Sequence, residues 1–212
     1  MSGYPGATWE PSPNFTSGRA SALTHIVLHT TEDTSAQGSL NTLTDPVRQL
    51  ANSAGVLEDA QVSSHYVVAE GGVYQLVADE NTAWHARGNN ANTIGIEVVG
   101  RADSPGTWTP AKVQRLGALV GWLASEYGIP LEYREDATAP AAPRGIVSHG
   151  ALDPLRRHDP GVWFPWSDVR AIAAGDASAS SGPGASAAGA PQWGAVVGVL
   201  IVALGLAWAL KP

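Results

Sequence analysis

The sequence predicts an α/β domain, a mixed central β-sheet flanked by helices, with a linker and a transmembrane helix behind it. Three observations predict this. Short apolar runs rich in β-branched residues recur at residues 24–28, 65–69, 73–77 and 94–99. Residues 110–127 carry apolar side chains at helical spacing, and beyond residue 175 the composition changes abruptly.

The first run, THIVL at 24–28, is a short strand that ends against the polar Thr30-Thr31-Glu32-Asp33. A helix is expected near residues 40–54, although Asp45-Pro46 interrupts it, because the residue before proline is pushed out of the α region. HYVVA at 65–69 and VYQLV at 73–77 flank Glu70-Gly71-Gly72, which predicts a hairpin. IGIEVV at 94–99 is a further strand. In residues 110–127, Val113, Leu116, Leu119, Val120 and Leu123 share one helical face, Pro110 suits the first turn and Gly128 suits the stop. A shorter helix over residues 166–173 closes the domain. No internal repeat is present.

Residues 1–175 are thus read as one catalytic domain. Residues 176–192 are almost entirely Ala, Ser, Gly and Pro, too poor in large apolar side chains to offset the entropy of ordering, and read as a flexible linker. Residues 193–210, WGAVVGVLIVALGLAWAL, carry no charge, and at ~1.5 Å per residue a helix of that length approaches the ~30 Å of a bilayer core. Trp193 and Trp208 suit the membrane interface. Attachment to a lipid membrane, in a host envelope or a virion, is therefore expected. The first fifteen residues lack the basic start and apolar stretch of a secretory signal, so export is expected to use another route.

Composition removes several functions. The net charge is −7 and the twelve Lys and Arg are scattered, so the electrostatic footprint of a nucleic-acid binder is missing. Cysteine is absent, which removes disulfides, thiolate ligands and a cysteine nucleophile together. A catalytic metal must rest on His, Asp or Glu.

Of the six histidines, two stand at the mouths of expected strands. His29 follows the run HIVL, and His149 follows Gly145-Ile146-Val147-Ser148. Asp159 lies ten residues after His149 in Arg157-His158-Asp159-Pro160-Gly161, where proline and glycine fix a turn. Two imidazoles and a carboxylate suffice for catalytic zinc with an open fourth position. By spacing alone, a His and an Asp at loop edges are more often capping or hydrogen-bonded surface groups.

HIVLHTTE at 25–32, SSHYVVAEGGVYQLV at 63–77, AWHARGNNANTIGIEVVG at 83–100, IVSHGALDP at 146–154 and DPGVWFPW at 159–166 stand in a telling order. Together with WEPSPNF at 9–15, this order resembles the type 2 N-acetylmuramoyl-L-alanine amidases, a group that includes peptidoglycan recognition proteins and phage endolysins. The resemblance spans residues 4–170. It implies that His29, His149 and Asp159 hold Zn2+. It also implies hydrolysis of the amide joining N-acetylmuramic acid to the first L-alanine of the stem peptide in peptidoglycan.

The resemblance further assigns proton transfer to Glu97, although Ile94, Ile96 and Val98 alternate with it and leave open an outward-facing strand residue. Arg157 stands where many relatives carry a lysine that steadies the oxyanion; a solvated surface arginine is the other reading. Ser64 replaces a tyrosine that some members hold near the metal. Trp84 and His85 match a block lining the substrate cleft, or else form a core tryptophan and a satisfied histidine. His65 reads as structural, His25 and His158 as hydrogen-bonded or exposed, and Asn89, Asn90 and Asn92 as undifferentiated rim residues. Three other functions stand beside a lytic amidase of phage origin. They are a non-catalytic peptidoglycan-binding module, a recycling amidase for 1,6-anhydro muropeptides, and a membrane-attached virion component.

Overall fold

A computed structural model describes residues 3–52, 54–134 and 144–176. In chain order its elements are β1 (Ala7–Trp9), β2 (Phe15–Thr16), β3 (His25–Thr30), α1 (Ala36–Thr44), β4 (Gln49–Ala51), β5 (Leu57–Asp59), β6 (Tyr66–Val68), β7 (Val73–Gln75), β8 (Thr82–Ala83) and β9 (Thr93–Val98). A 3-10 turn at Pro105–Thr107 follows, then α2 (Pro110–Tyr127), β10 (Tyr133–Arg134), β11 (Gly145–Ser148), α3 (His149–Leu152) and α4 (Trp166–Ala173).

Seven strands form one mixed sheet in the order β1-β7-β6-β9-β3-β11-β10. Only β6 and β7 run antiparallel, as the expected hairpin; every other neighbouring pair is parallel. The central strands β3, β9 and β11 are buried on both faces, which is why they read as nearly unbroken apolar runs. Ile26, Leu28, Ile94, Ile96 and Val98 pack with Leu116, Leu119, Val120 and Leu123 of α2 and Val169 of α4. Val67, Ala69, Leu76 and Val99 pack with Leu40 and Leu43 of α1 in a second cluster. The sheet is therefore covered by helices on both sides. At ~1.5–3 kcal/mol for each fully buried leucine or isoleucine, these layers carry the main stabilisation of the domain.

Helix α2 runs as its sequence signals. The Thr109 side chain accepts from the Lys112 amide, Pro110 opens the first turn, and Gly128 ends it at φ 59°. The helix expected near 40–54 is corrected: α1 begins at Ala36, with the Ser35 side chain accepting from the Gly38 amide, and stops at Asp45, whose ψ of 112° is extended. Pro46 imposes that stop. The chain beyond it forms the β4–β5 hairpin, in which Gln49 pairs with Asp59. The first strand reaches Thr30, so His29 lies inside its last turn of pleat rather than after it. Residues 7–9 add the edge strand β1, parallel to β7, which apolar periodicity does not reveal.

Among the described residues no helix is long and apolar enough to cross a membrane. The linker beyond Asp176 and the membrane helix expected over 193–210 lie outside the described residues.

Candidate active site

Because β9, β3 and β11 are parallel neighbours, their carboxyl ends open on one edge of the sheet, the usual position for a ligand in an open α/β sheet. The register decides what meets there. His29 pairs with Glu97 across β3 and β9, and Leu28 pairs with Ser148 across β3 and β11, which puts His149 beside His29. Ser148 caps α3 by accepting from the Ala151 amide, so His149 opens a short helix rather than a loop. The Gly150 amide donates to the Asp159 carbonyl at 2.9 Å, which folds the Asp-Pro-Gly turn back onto His149. The Asp159-Pro160 bond is cis. Gly161 follows at φ 87°, where a Cβ would stand 2.1 Å from the Ala102 carbonyl oxygen, so no side chain fits.

These contacts bring His29, His149 and Asp159 together, all three buried. His29 Nδ1 lies 2.9 Å from His149 Nδ1 and 3.3 Å from Asp159 Oδ2, and His149 Nδ1 lies 3.1 Å from the same oxygen. A tetrahedral ion with ligands at ~2.0–2.1 Å separates them by about 3.3 Å, so the triangle has the size that zinc requires. Burial holds the His29 ring at about 4, against the opposing pull of Asp159, so it is a neutral nitrogen donor near pH 7. Two imidazole nitrogens and one carboxylate fit a divalent cation.

Glu97 lies on the same side of β9 as Thr93 and Gly95, opposite the Ile94, Ile96 and Val98 face that joins the core. It faces away from the core, as that alternation allows, and into the cleft that also holds His29, His149 and Asp159. Its Oε2 is shielded from solvent and has no hydrogen-bond partner. Burial, followed by the negative charge of Asp159, pushes its carboxyl up to about 8. A group so placed can hold a proton at neutral pH and give it up within the site.

The cleft above these groups measures about 750 Å3 and is lined by His29, His149, Asp159, Glu97, Arg157, Trp84 and His85 among others. All seven of these residues therefore face one cavity. The Arg157 side chain is exposed at its rim. Trp84 is half-buried and donates from Nε1 to the Thr16 hydroxyl at 3.1 Å. His85 is differently placed from a free cleft-lining imidazole, since its Nδ1 lies 3.0 Å from His29 Nε2 and its Nε2 lies 3.1 Å from the Thr93 hydroxyl.

The remaining histidines fall as expected. His65 is buried, with Nδ1 accepting from the Gly95 amide at 3.0 Å, and burial holds it at about 3. His25 is buried beside the Thr24 hydroxyl, and His158 is exposed. Ser64 is buried and donates to the Tyr66 carbonyl, and it does not line the cavity of His29, His149 and Asp159. The asparagines separate on inspection: Asn90 accepts from the His85 and Ala86 amides, Asn89 offers its carbonyl to Thr93, and Asn92 donates to Thr24.

Glu32 was not legible in the sequence. It adopts φ 56°, rare for a residue with a side chain, while its Oε1 accepts from the Thr30 hydroxyl at 2.8 Å and the Ala102 amide at 3.0 Å. Its carboxylate lines the cleft and ties the end of β3 to the loop against which Gly161 packs. Arg48, Leu50 and Asp59 of the β4–β5 segment also line the cleft. No local pattern marks them, because only the hairpin places them there.

Known proteins resemble this chain in sequence and fold. The sequence profile of the N-acetylmuramoyl-L-alanine amidases matches residues 19–162. N-acetylmuramoyl-L-alanine amidase A of Achromobacter lyticus is 31% identical over 172 residues, covering 76% of this chain and 90% of the relative. The amidase AmiD of Escherichia coli is 32% identical over 141 residues, covering 56% of this chain and 47% of that one. Among solved structures, a selenomethionine derivative of AmpD superposes with a TM-score of 0.62 at 24% identity, covering 80% of this chain and 95% of that one, which shows the shared fold. The fold expected from the sequence is thereby borne out in its mixed sheet and flanking helices, and on the match over residues 19–162 the chain belongs to the N-acetylmuramoyl-L-alanine amidase family.

Proposed function

We propose that this chain is a zinc-dependent hydrolase that cuts the amide between N-acetylmuramic acid and L-alanine in bacterial peptidoglycan, acting as a phage lytic or virion-associated enzyme. The observation that carries the reading is the convergence of His29 Nδ1, His149 Nδ1 and Asp159 Oδ2 beside the unpartnered Oε2 of Glu97. Family membership supplies the class of bond.

An amide is a poor electrophile with a poor leaving group. Zinc held by His29, His149 and Asp159 would supply Lewis acidity to the carbonyl and to the attacking water. Glu97 takes the proton that water loses on attacking the carbonyl carbon, then delivers it to the nitrogen as the carbon–nitrogen bond breaks. The products are the lactyl carboxylate and the free amino group of L-alanine. Arg157 brings a fixed positive charge to the cleft in which the carbonyl oxygen becomes negative, and its planar guanidinium cannot serve as the acid. Trp84 offers an aromatic face, with His85 behind it in the same wall, to the junction of sugar and peptide.

The test is mass spectrometry of purified sacculi digested by the full chain. Muramic acid with a free lactyl carboxylate, paired with new L-alanine amino termini, is the expected outcome, and both should vanish when zinc is chelated. Glycan fragments would refute the assignment. Cleavage of soluble 1,6-anhydro muropeptides without any action on sacculi would transfer the enzyme to wall recycling. Binding without cleavage would make it a recognition module.

The uncharged segment 193–210 behind its Ala, Ser, Gly and Pro-rich approach supports tethering to a lipid membrane. The full chain should fractionate with membranes, whereas a chain ending at residue 192 should be released and still hydrolyse sacculi. Retention of the shortened chain on membranes would sink the tether.

A further inference from the structure

One side chain that touches a metal ligand has its own hydrogen bonds fixed from outside the site. The Thr93 hydroxyl donates to the Asn89 carbonyl at 2.7 Å, and a hydroxyl has a single proton to give. Toward His85 Nε2, 3.1 Å away, the same oxygen can therefore only accept. His85 Nε2 must carry hydrogen. A His29 ring that coordinates through Nδ1 carries its hydrogen on Nε2, so His85 Nδ1, which faces that nitrogen, can only be a bare acceptor. His29 Nε2, 3.0 Å from that atom, is the donor. The remaining nitrogen of His29, Nδ1, is left with its lone pair directed at His149 Nδ1 and Asp159 Oδ2.

The His85 ring is seated for this task. A Cβ on Gly95 would stand 2.4 Å from His85 Cγ and 2.6 Å from its Nδ1, so the ring lies directly against the β9 backbone where only glycine leaves room. The Asn90 side chain fixes the His85 backbone amide at 3.1 Å. The His29 ring meets the His85 ring edge-on, with centroids 5.2 Å apart and planes at 89°. Thr93, Gly95 and Glu97 alternate along one side of β9, so the strand that carries the proton-transfer carboxylate also builds the seat.

We propose that His85 is a positioning residue for the metal centre: through the chain Asn89 carbonyl, Thr93 hydroxyl, His85 imidazole, it holds His29 as the Nε2–H tautomer and presents Nδ1 for coordination. The inference rests on the zinc reading of His29, His149 and Asp159. An outer partner of this kind commonly changes metal affinity 10–100-fold.

The test compares zinc dissociation constants of the full chain, measured against a chromophoric chelator, for wild type, His85→Leu, His85→Asn and Thr93→Val. His85→Leu is expected to weaken binding by about 10–100-fold. His85→Asn, whose Oδ1 can replace the Nδ1 acceptor, should recover most of that loss, which a merely space-filling role would not predict. Thr93→Val, nearly isosteric, should weaken binding without emptying the ring's seat. Long-range 1H–15N spectra of histidine-labelled wild type should show His85 and His29 both protonated on Nε2. A folded His85→Leu protein that binds zinc within twofold of wild type overturns the inference. So does a His85 ring protonated on Nδ1, a result that stands even if the leucine variant does not fold. Wild type that binds no zinc overturns the metal reading as well, whereas zinc binding indifferent to both His85 and Thr93 removes the role of His85 alone.

Discussion

His29 and Glu97 are direct cross-strand partners, paired in the parallel register of β3 and β9 one residue before each strand ends. The proposed metal ligand and the proposed proton carrier thus share one rigid ladder, and their spacing is set by backbone hydrogen bonds rather than by a loop. Glu97→Gln keeps the shape and removes the proton exchange. Activity on sacculi should fall about 10²–10⁴-fold, while zinc affinity stays within a few-fold. A variant that loses zinc and activity together would show a structural role instead.

The same carboxyl sets a pH limb. Burial and the Asp159 charge push it up to about 8, and a dication in the adjacent cluster draws it back down, so loss of the protonated form falls at or below about pH 8. Because Glu97 must be ionised to take the proton from water, the kcat/KM profile of wild type should fall on the acid side of that pH, and the residual activity of Glu97→Gln should lack that limb. An identical limb in both proteins would assign it to another group.

Asp159 is held by a turn with no spare room. Gly161→Ala combines a φ of 87° with a Cβ 2.1 Å from the Ala102 oxygen, so the turn must shift and carry Asp159 with it. A loss of about 1–3 kcal/mol in unfolding free energy is expected from such a forced backbone, together with weaker zinc binding. Urea titration and chelator competition measure the two effects, and unchanged values in both would contradict the geometry.

Away from the cleft, Asp79 accepts from the hydroxyls of Tyr66 at 2.7 Å and Tyr127 at 2.8 Å. Burial outweighs those hydrogen bonds and raises its carboxyl to about 6. A raised carboxyl means the folded protein binds more protons than the unfolded chain between pH ~4 and ~6, so stability falls as pH rises through that window and is level above it. The penalty above pH 6 is about 2–3 kcal/mol. The difference in unfolding free energy between wild type and Asp79→Asn should therefore change across pH 4–6 in favour of the variant at the upper end. A difference constant with pH would refute the assignment.

The packing of α2 on the sheet gives a simpler check. Leu119 is fully buried between them, and Leu119→Ala should cost about 2–5 kcal/mol of stability without altering the zinc affinity of the remaining folded protein. Thermal melts with and without zinc separate the two quantities.

By itself the sequence determined the parts whose causes are local. Pro110, the apolar face of Val113 to Leu123, and Gly128 bound a helix that occurs as Pro110–Tyr127 because capping and periodicity act within a few residues. HYVVA and VYQLV around Glu-Gly-Gly formed the hairpin for the same reason. His29, His149 and Asp159 were legible because each stands beside a strand end or turn that its own neighbours specify, and the family resemblance joined them. Only the tertiary structure decided what those residues meet. Parallel register set His29 against Glu97, and the return of the Asp-Pro-Gly turn set Asp159 against both imidazoles. His85, which lines the cleft, is also a hydrogen-bond neighbour of His29 because its ring contacts run to β3 and β9, and Glu32 entered the site through a left-handed backbone that no composition marks. Pairings across dozens of residues depend on which strands lie side by side, and that is fixed by burial of the whole sheet rather than by any short stretch of chain.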